Sequence, residues 1–169
     1  MSNQNPRIGG SQRGSPLALL LIVLLSVLEL ACQPKDETPG TWLRGRDASE
    51  DVSDWTFSEA VDEIFIETRP WYGIPHSTTI WCVSLDAKLY VGSYGGEKKW
   101  WEQSVAHDKR ARLRIEGRLY DVELTPVSDP ELVLALDLAY TKKYDMAEVF
   151  GEDIPPWRYY AVTLRSRQG

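Results

Sequence analysis

The sequence is short of the residues from which most catalytic centres are built. Only two of its 169 residues are histidine and two are cysteine. His76 and His107 are far apart, and neither has a cysteine or acid at metal-ligand spacing, so no metal centre is expected. Cys32 closes an apolar segment and Cys82 falls in a β-type run, which gives no disulfide framework. There is no Gly-x-Ser-x-Gly elbow. Gly95-Gly96-Glu97-Lys98-Lys99 lacks the four-residue gap and Lys-Ser/Thr ending of a nucleotide phosphate loop. The acids suggest no paired catalytic dyad. A formal charge of -6 argues against a nucleic-acid partner.

What is present begins with an export pattern. Residues 1–16 are polar, carry Arg7 and Arg13 and contain no acid. An apolar run from Leu17 to Leu28 follows, then Glu29-Leu30-Ala31-Cys32. A basic start, a short apolar stretch and small residues before a cut describe a secretory signal. The run is too short to cross a hydrocarbon layer of about 30 Å comfortably. The Leu-Ala-Cys ending resembles a bacterial lipoprotein signal, which implies a lipid on Cys32 and localisation on the periplasmic or outer face of the cell envelope. Glu29 departs from that pattern, and an uncleaved anchor is the alternative. The two arginines are not adjacent, so export by a twin-arginine route is not expected. Residues 33–51, rich in Pro, Gly and charge, read as a tether.

Residues 52–167 read as one domain, mainly β with some α. Phe57, Ala60, Val61 and Ile64 recur at helical spacing. Ser77 to Val83 and Lys88 to Tyr94 read as strands around a turn at Asp86-Ala87. Glu116-Gly117 reads as a hairpin turn that sets Leu113 opposite Tyr120, Ala111 opposite Val122, Arg112 opposite Asp121 and Arg110 opposite Glu123. A slip of one residue would break both the apolar and the charged matches. Asp129-Pro130-Glu131 opens a helix with Leu132, Leu136, Ala139 and Tyr140 on one stripe and Lys142 and Lys143 in the last turn. Tyr160, Val162 and Leu164 alternate in a final strand. About five antiparallel strands with two or three helices suggest a small barrel. Seven tryptophans and eight tyrosines suggest a core filled by large side chains, or an aromatic-lined pocket.

The stretch from Val91 to Trp101 is the richest in chemistry. A strand ends at Ser93, Gly95-Gly96 permits close backbone approach, and Lys98, Lys99, Trp100 and Trp101 open a short helix. Such a turn can hold a phosphate and stack a flat ring, or can simply be a turn with solvated lysines and core tryptophans. Ser93, Gly95-Gly96, Lys98 and Trp101 in that order resemble the cofactor loop of the deazaflavin-dependent nitroreductase family, and the similarity runs over most of 67–164. The stretches Ile66-Glu67-Thr68-Arg69, Thr79-Ile80-Trp81 and Leu89-Tyr90-Val91 more closely resemble an uncharacterised bacterial domain family related to pyridoxamine 5'-phosphate oxidase-like split barrels. The sequence departs from the nitroreductase pattern at Arg69-Pro70-Trp71-Tyr72-Gly73, where a Gly-Arg-x-Ser-Gly-type phosphate loop is usual. Gln103 or Ser104 stands in place of a frequent asparagine.

The resemblance implies a split β-barrel that binds FMN or a deazaflavin, and pairing as a homodimer. Arg69, Ser77, Thr78, Thr79, Lys98 and Lys99 would then hold the phosphate. Ser93, Gly95 and Gly96 would contact the ring or tail, and Trp100 or Trp101 would cover a face. Two functions follow. One is an exported, membrane-tethered flavin- or deazaflavin-dependent oxidoreductase. The other is a non-catalytic envelope protein of the same fold that binds a small ligand or a protein.

Overall fold

Residues 40–48 and 52–165 are described in the computed structural model of the protein. The proposed signal, Cys32 and the first part of the tether lie outside them. A short strand β1 (Arg46–Asp47) and a 3-10 turn (Thr56–Ala60) come first. They are followed by β2 (Ile64–Thr68), β3 (His76–Leu85), β4 (Lys88–Tyr94), α1 (Trp100–His107), β5 (Arg110–Ile115) and β6 (Arg118–Pro126). The chain ends with α2 (Pro130–Lys143), α3 (Met146–Phe150) and β7 (Trp157–Leu164). In space the strands run β6-β5-β2-β3-β4-β7, and β7 pairs again with β6. The result is a closed six-stranded antiparallel barrel. β1 lies outside it, parallel to β6.

Two elements differ from the sequence reading. The apolar spacing of Phe57, Ala60, Val61 and Ile64 does not make one helix. The 3-10 turn ends at Ala60, and Ile64 opens β2. Most of β2 is buried on both faces, so it shows no alternation by which a strand would be recognised. The β5–β6 hairpin has the predicted register: Leu113 faces Tyr120, Ala111 faces Val122, Arg112 faces Asp121 and Arg110 faces Glu123. Glu116 and Gly117 both have positive φ in its turn. Asp129 caps α2 through the amide of Glu131 at 3.1 Å, as predicted.

Two apolar clusters follow from strand alternation. Ile64, Ile66, Ile80, Cys82, Leu89, Val91, Leu113, Val122, Leu124 and Tyr160 fill the barrel. Val83, Tyr90 and Tyr159 point outward and are covered by Leu136 and Tyr140 of α2, with Tyr144 just beyond it. Gly92 allows this approach, because a Cβ there would lie 2.7 Å from the Tyr140 hydroxyl. Tyr140 in turn donates to the Trp81 carbonyl at 3.0 Å.

The end of α2 also repairs a gap in the sheet. β2 starts at Ile64, opposite Ile80, so the backbone of Cys82 has no strand on that side. Side chains take its place. Tyr144 Oη accepts from the Cys82 amide at 3.1 Å and lies 2.8 Å from the carbonyls of Cys82 and Asp62. Lys143, predicted as a favourable cation in the last turn, folds inward instead: its Nζ donates to the carbonyls of Ser58 and Cys82, each at 2.9 Å. Buried backbone groups need such partners.

Residues 40–48, within the segment read as a tether, run along the barrel. The Gly40 amide donates to Ser77 at 2.6 Å, and the Ser77 amide donates back at 3.1 Å. Leu43 is buried, and its amide donates to Glu67 at 2.5 Å. Among the described residues no helix is long and apolar enough to cross a membrane.

Candidate functional site

The barrel is split at one end. The β3–β4 ladder runs from Leu85 opposite Lys88 to Trp81 opposite Gly92 and stops there. Beyond that point β3 stays with β2, from Ile80 to His76. β4 stays with β7, pairing Ser93 with Arg158 and Tyr94 with Trp157. α1 packs against β2 and β3 and bonds to β4 and β7, so it bridges the split. Strand directions bring Arg69, Ser77–Thr79 and Ser93–Trp101 to this same end. That much of the predicted site assembles.

Sequence reasoning missed the group at its centre. Glu102 is 1% exposed. Its Oε2 accepts from Ser93 Oγ at 2.7 Å, from the Lys99 amide at 2.8 Å and from Arg158 Nη2 at 2.9 Å. Its Oε1 accepts from Arg158 Nε at 2.8 Å and from Tyr160 Oη at 3.0 Å. Burial pushes this carboxyl up, but Arg158, Ser93, the Lys99 amide and Tyr160 together hold it below the ordinary glutamate range. Burial, reinforced by the same carboxylate, pushes the Tyr160 hydroxyl well up. Arg158 also donates to the carbonyls of Gly95 and of Glu97, the latter at 2.9 Å. The Gly95 amide donates to Pro156 at 3.0 Å, and Gly95 has a φ of +98°. Glu102 and Arg158 therefore fix the backbone of the loop from within. The only sequence hint was Glu102 three residues after Lys99, the spacing of a capping box.

This knot divides the predicted residues. The Ser93 hydroxyl is committed to Glu102 and faces inward. Trp101 is buried edge-on against Tyr160, with centroids 4.9 Å apart. Ser77 and Thr79 are buried on the face that carries Glu67 and residues 40–43, whereas alternation points Thr78 the other way, so the three hydroxyls do not converge. Arg69, Gly96, Lys98, Lys99 and Trp100 remain on the surface. Trp100 is 64% exposed, and the Lys99 ammonium sits 4.5 Å from the centre of the Tyr94 ring. The loop thus presents cations, an open glycine and an indole to solvent, but not the serine or the second tryptophan.

A cleft of about 620 Å³ opens at the opposite end, lined by Arg44, Asp62, Glu63, Phe65, Arg114 and Glu116 among others. None of the predicted residues reaches it. The Arg114 guanidinium covers Phe65 at 4.1 Å and donates to the Arg44 carbonyl at 3.2 Å. Among the described residues no group of His, Cys, Asp and Glu is placed to hold a metal ion.

The fold is that of known split barrels. A conserved hypothetical protein from Mycobacterium tuberculosis superposes with a TM-score of 0.50 at 14% identity, over 72% of this chain and 86% of that one. An FAD-binding protein from Mesorhizobium loti gives 0.48 at 18% identity, over 75% and 94%. An F420-H2 dependent reductase gives 0.47 at 13%, over 61% and 95%. No curated protein matches the sequence. A family model described as an uncharacterized protein conserved in bacteria (DUF2255) matches residues 57–164, which span all six barrel strands, and the chain belongs to that family.

Proposed function

We propose that the protein is an exported, membrane-tethered split barrel that binds a flavin or deazaflavin at its split end and acts as an oxidoreductase. The observation that carries this reading is the loop 95–100. Arg158 and Glu102 hold its backbone still, while Lys98, Lys99 and the Trp100 indole are left facing solvent and Arg69 is exposed at the same end of the barrel. A preorganised turn with clustered cations and a flat apolar surface suits an anionic, planar ligand. When bound, the cofactor supplies the hydride chemistry, and this chain binds and orients it. Lys98, Lys99 and Arg69 hold the phosphate and Trp100 covers the ring. A homodimer would complete the site with surface from the second barrel.

The test is titration of the purified protein with FMN and with a deazaflavin, followed by absorbance and fluorescence. Saturable binding that weakens roughly tenfold in Lys98→Ala and in Lys99→Ala supports the reading. No spectral change with either cofactor overturns it. The second reading, a non-catalytic barrel that binds a small ligand or a protein, is favoured by the commitment of Ser93 and Trp101 to the interior. A protein that stays colourless, with a saturable ligand other than a flavin, would establish it.

A further inference from the structure

One feature of the split end is used neither by the barrel nor by the proposed cofactor site. The β2–β3 connection turns at Pro70-Trp71-Tyr72-Gly73, where the Gly73 amide donates to Pro70 at 2.9 Å and Gly73 has a φ of +82°. Tyr72 is tied down by a hydrogen bond between its hydroxyl and His76 Nε2 and by ring contacts with Trp71 and His76. The turn is therefore held, and it holds its apolar side chains outward. Trp71 is 85% exposed and Ile74 54% exposed. Trp71 is the most exposed large hydrophobic side chain among the described residues, and with Ile74 it makes an apolar patch suited to a surface that covers it.

The path of the chain indicates what that is. Gly40 pairs with Ser77, so the polypeptide joins the barrel at this end, next to the Trp71 turn. Gly40 is eight residues on from Cys32, the residue whose lipid would anchor the chain. Even fully extended, that connection reaches only about 28 Å. The far end of the barrel lies a tilted strand's length further, about 20–25 Å. Turning that end to a membrane would stretch the connection almost to its limit and remove most of its conformational freedom. Arg69, Lys98 and Lys99 lie on the two loops that flank the split; the acids at this end are Glu97 among them and Glu152 and Asp153 on the loop before β7. Indole and isoleucine beside cations are what an anionic bilayer surface accepts.

We propose that the split end of the barrel rests on the bilayer surface, with Trp71 and Ile74 entering the interfacial layer and the flanking cations meeting lipid phosphates. The inference rests on reading Cys32 as the lipid-anchored residue; it shares Arg69, Lys98 and Lys99 with the cofactor reading but needs no bound cofactor. It places the split end where a ligand dissolved in, or carried by, the membrane would meet it.

The test uses the full chain in vesicles of phosphatidylethanolamine and phosphatidylglycerol. Pyrene is attached to Ile74→Cys at this end or to Arg118→Cys at the other, and the parent chain treated alike gives the background. On addition of brominated lipid, the label at 74 loses roughly half of its emission, because an apolar group here sits within the outer 5–10 Å of the bilayer. The label at 118 is unaffected. Protein that floats with the vesicles while neither label is quenched overturns the inference and leaves the anchor reading standing. Protein that does not float overturns both. Excimer emission from the label at 74 without lipid quenching overturns it in favour of a second copy of the chain on the same surface.

Discussion

Arg158 and Glu102 form the most buried ion pair among the described residues, Nε to Oε1 at 2.8 Å and Nη2 to Oε2 at 2.9 Å, and join residues 56 apart in sequence. The pair locks α1 across the split, and through the Gly95 and Glu97 carbonyls it locks the exposed loop as well. Its acidic member is held below its ordinary range, so the sign of its pH effect follows. Stability from Glu102 is fully present above the unfolded carboxyl value, about pH 4.3, and is lost as pH falls through the lower folded value. Urea midpoints should drop steeply below pH 4, and Glu102→Gln should flatten that drop. At neutral pH the same substitution leaves Arg158 without its counter-charge and should cost about 3 kcal/mol. A midpoint that falls with acid equally in both proteins would place the effect elsewhere.

A second prediction concerns the side chains that replace a missing strand. Tyr144→Phe keeps the ring stacked on Trp81, 4.3 Å away, and removes only the hydroxyl. That leaves the Cys82 amide without its side-chain acceptor and should cost about 1–3 kcal/mol by chemical denaturation. Tyr140→Phe removes one hydrogen bond, to the Trp81 carbonyl, and should cost about 1 kcal/mol. Equal losses in the two variants would contradict this account of the β3 edge.

These two groups also show where sequence reading succeeds and where it stops. The β5–β6 register was legible because Arg112 opposite Asp121 and Leu113 opposite Tyr120 are two constraints that only one pairing satisfies. The α2 start was legible because a cap, a proline and an acid are local signals. β2 was not legible, because Ile64, Ile66 and Thr68 are buried on one face and Glu67 on the other, which erases the period. Glu102 and Lys143 were not legible either. A charged residue on a short helix reads as solvated until a partner 56 residues away, or the carbonyls of Ser58 and Cys82, are brought beside it. The loop that resembles a cofactor loop lies at the split end, but its serine and one of its tryptophans face the interior, a choice made by Glu102 and Tyr160.

A third prediction follows from the β3–β4 turn. Asp86 and Ala87 have φ of 50° and 60°, a region that disfavours side chains other than Gly and Asn. Ala87→Gly relieves a strain of about 1–2 kcal/mol. It also loosens the unfolded chain by about 0.4–1 kcal/mol. The net expectation is a gain of about 0.5 kcal/mol in urea unfolding, with the fold unchanged. A loss would mean that the hydrogen bond from the Trp55 amide to the Ala87 carbonyl depends on the methyl group's packing.

The last prediction uses the buried thiol as a reporter. Burial pushes Cys82 up to about 11, against the pull of the Lys143 ammonium 3.9 Å from its sulfur. At pH 8 only about one molecule in a thousand carries the thiolate, and none of the sulfur is at the surface. Reaction of Cys82 with a disulfide reagent should therefore wait for the barrel to open. When reclosing outpaces labelling, the slow rate tracks the equilibrium population of the open form. Ala87→Gly should then slow Cys82 labelling roughly twofold, and Tyr144→Phe should speed it roughly tenfold, in step with their effects on stability. A slow phase that Ala87→Gly leaves unchanged while Tyr144→Phe accelerates it would show that Cys82 is exposed by local release of α2 from β3, not by opening of the whole barrel.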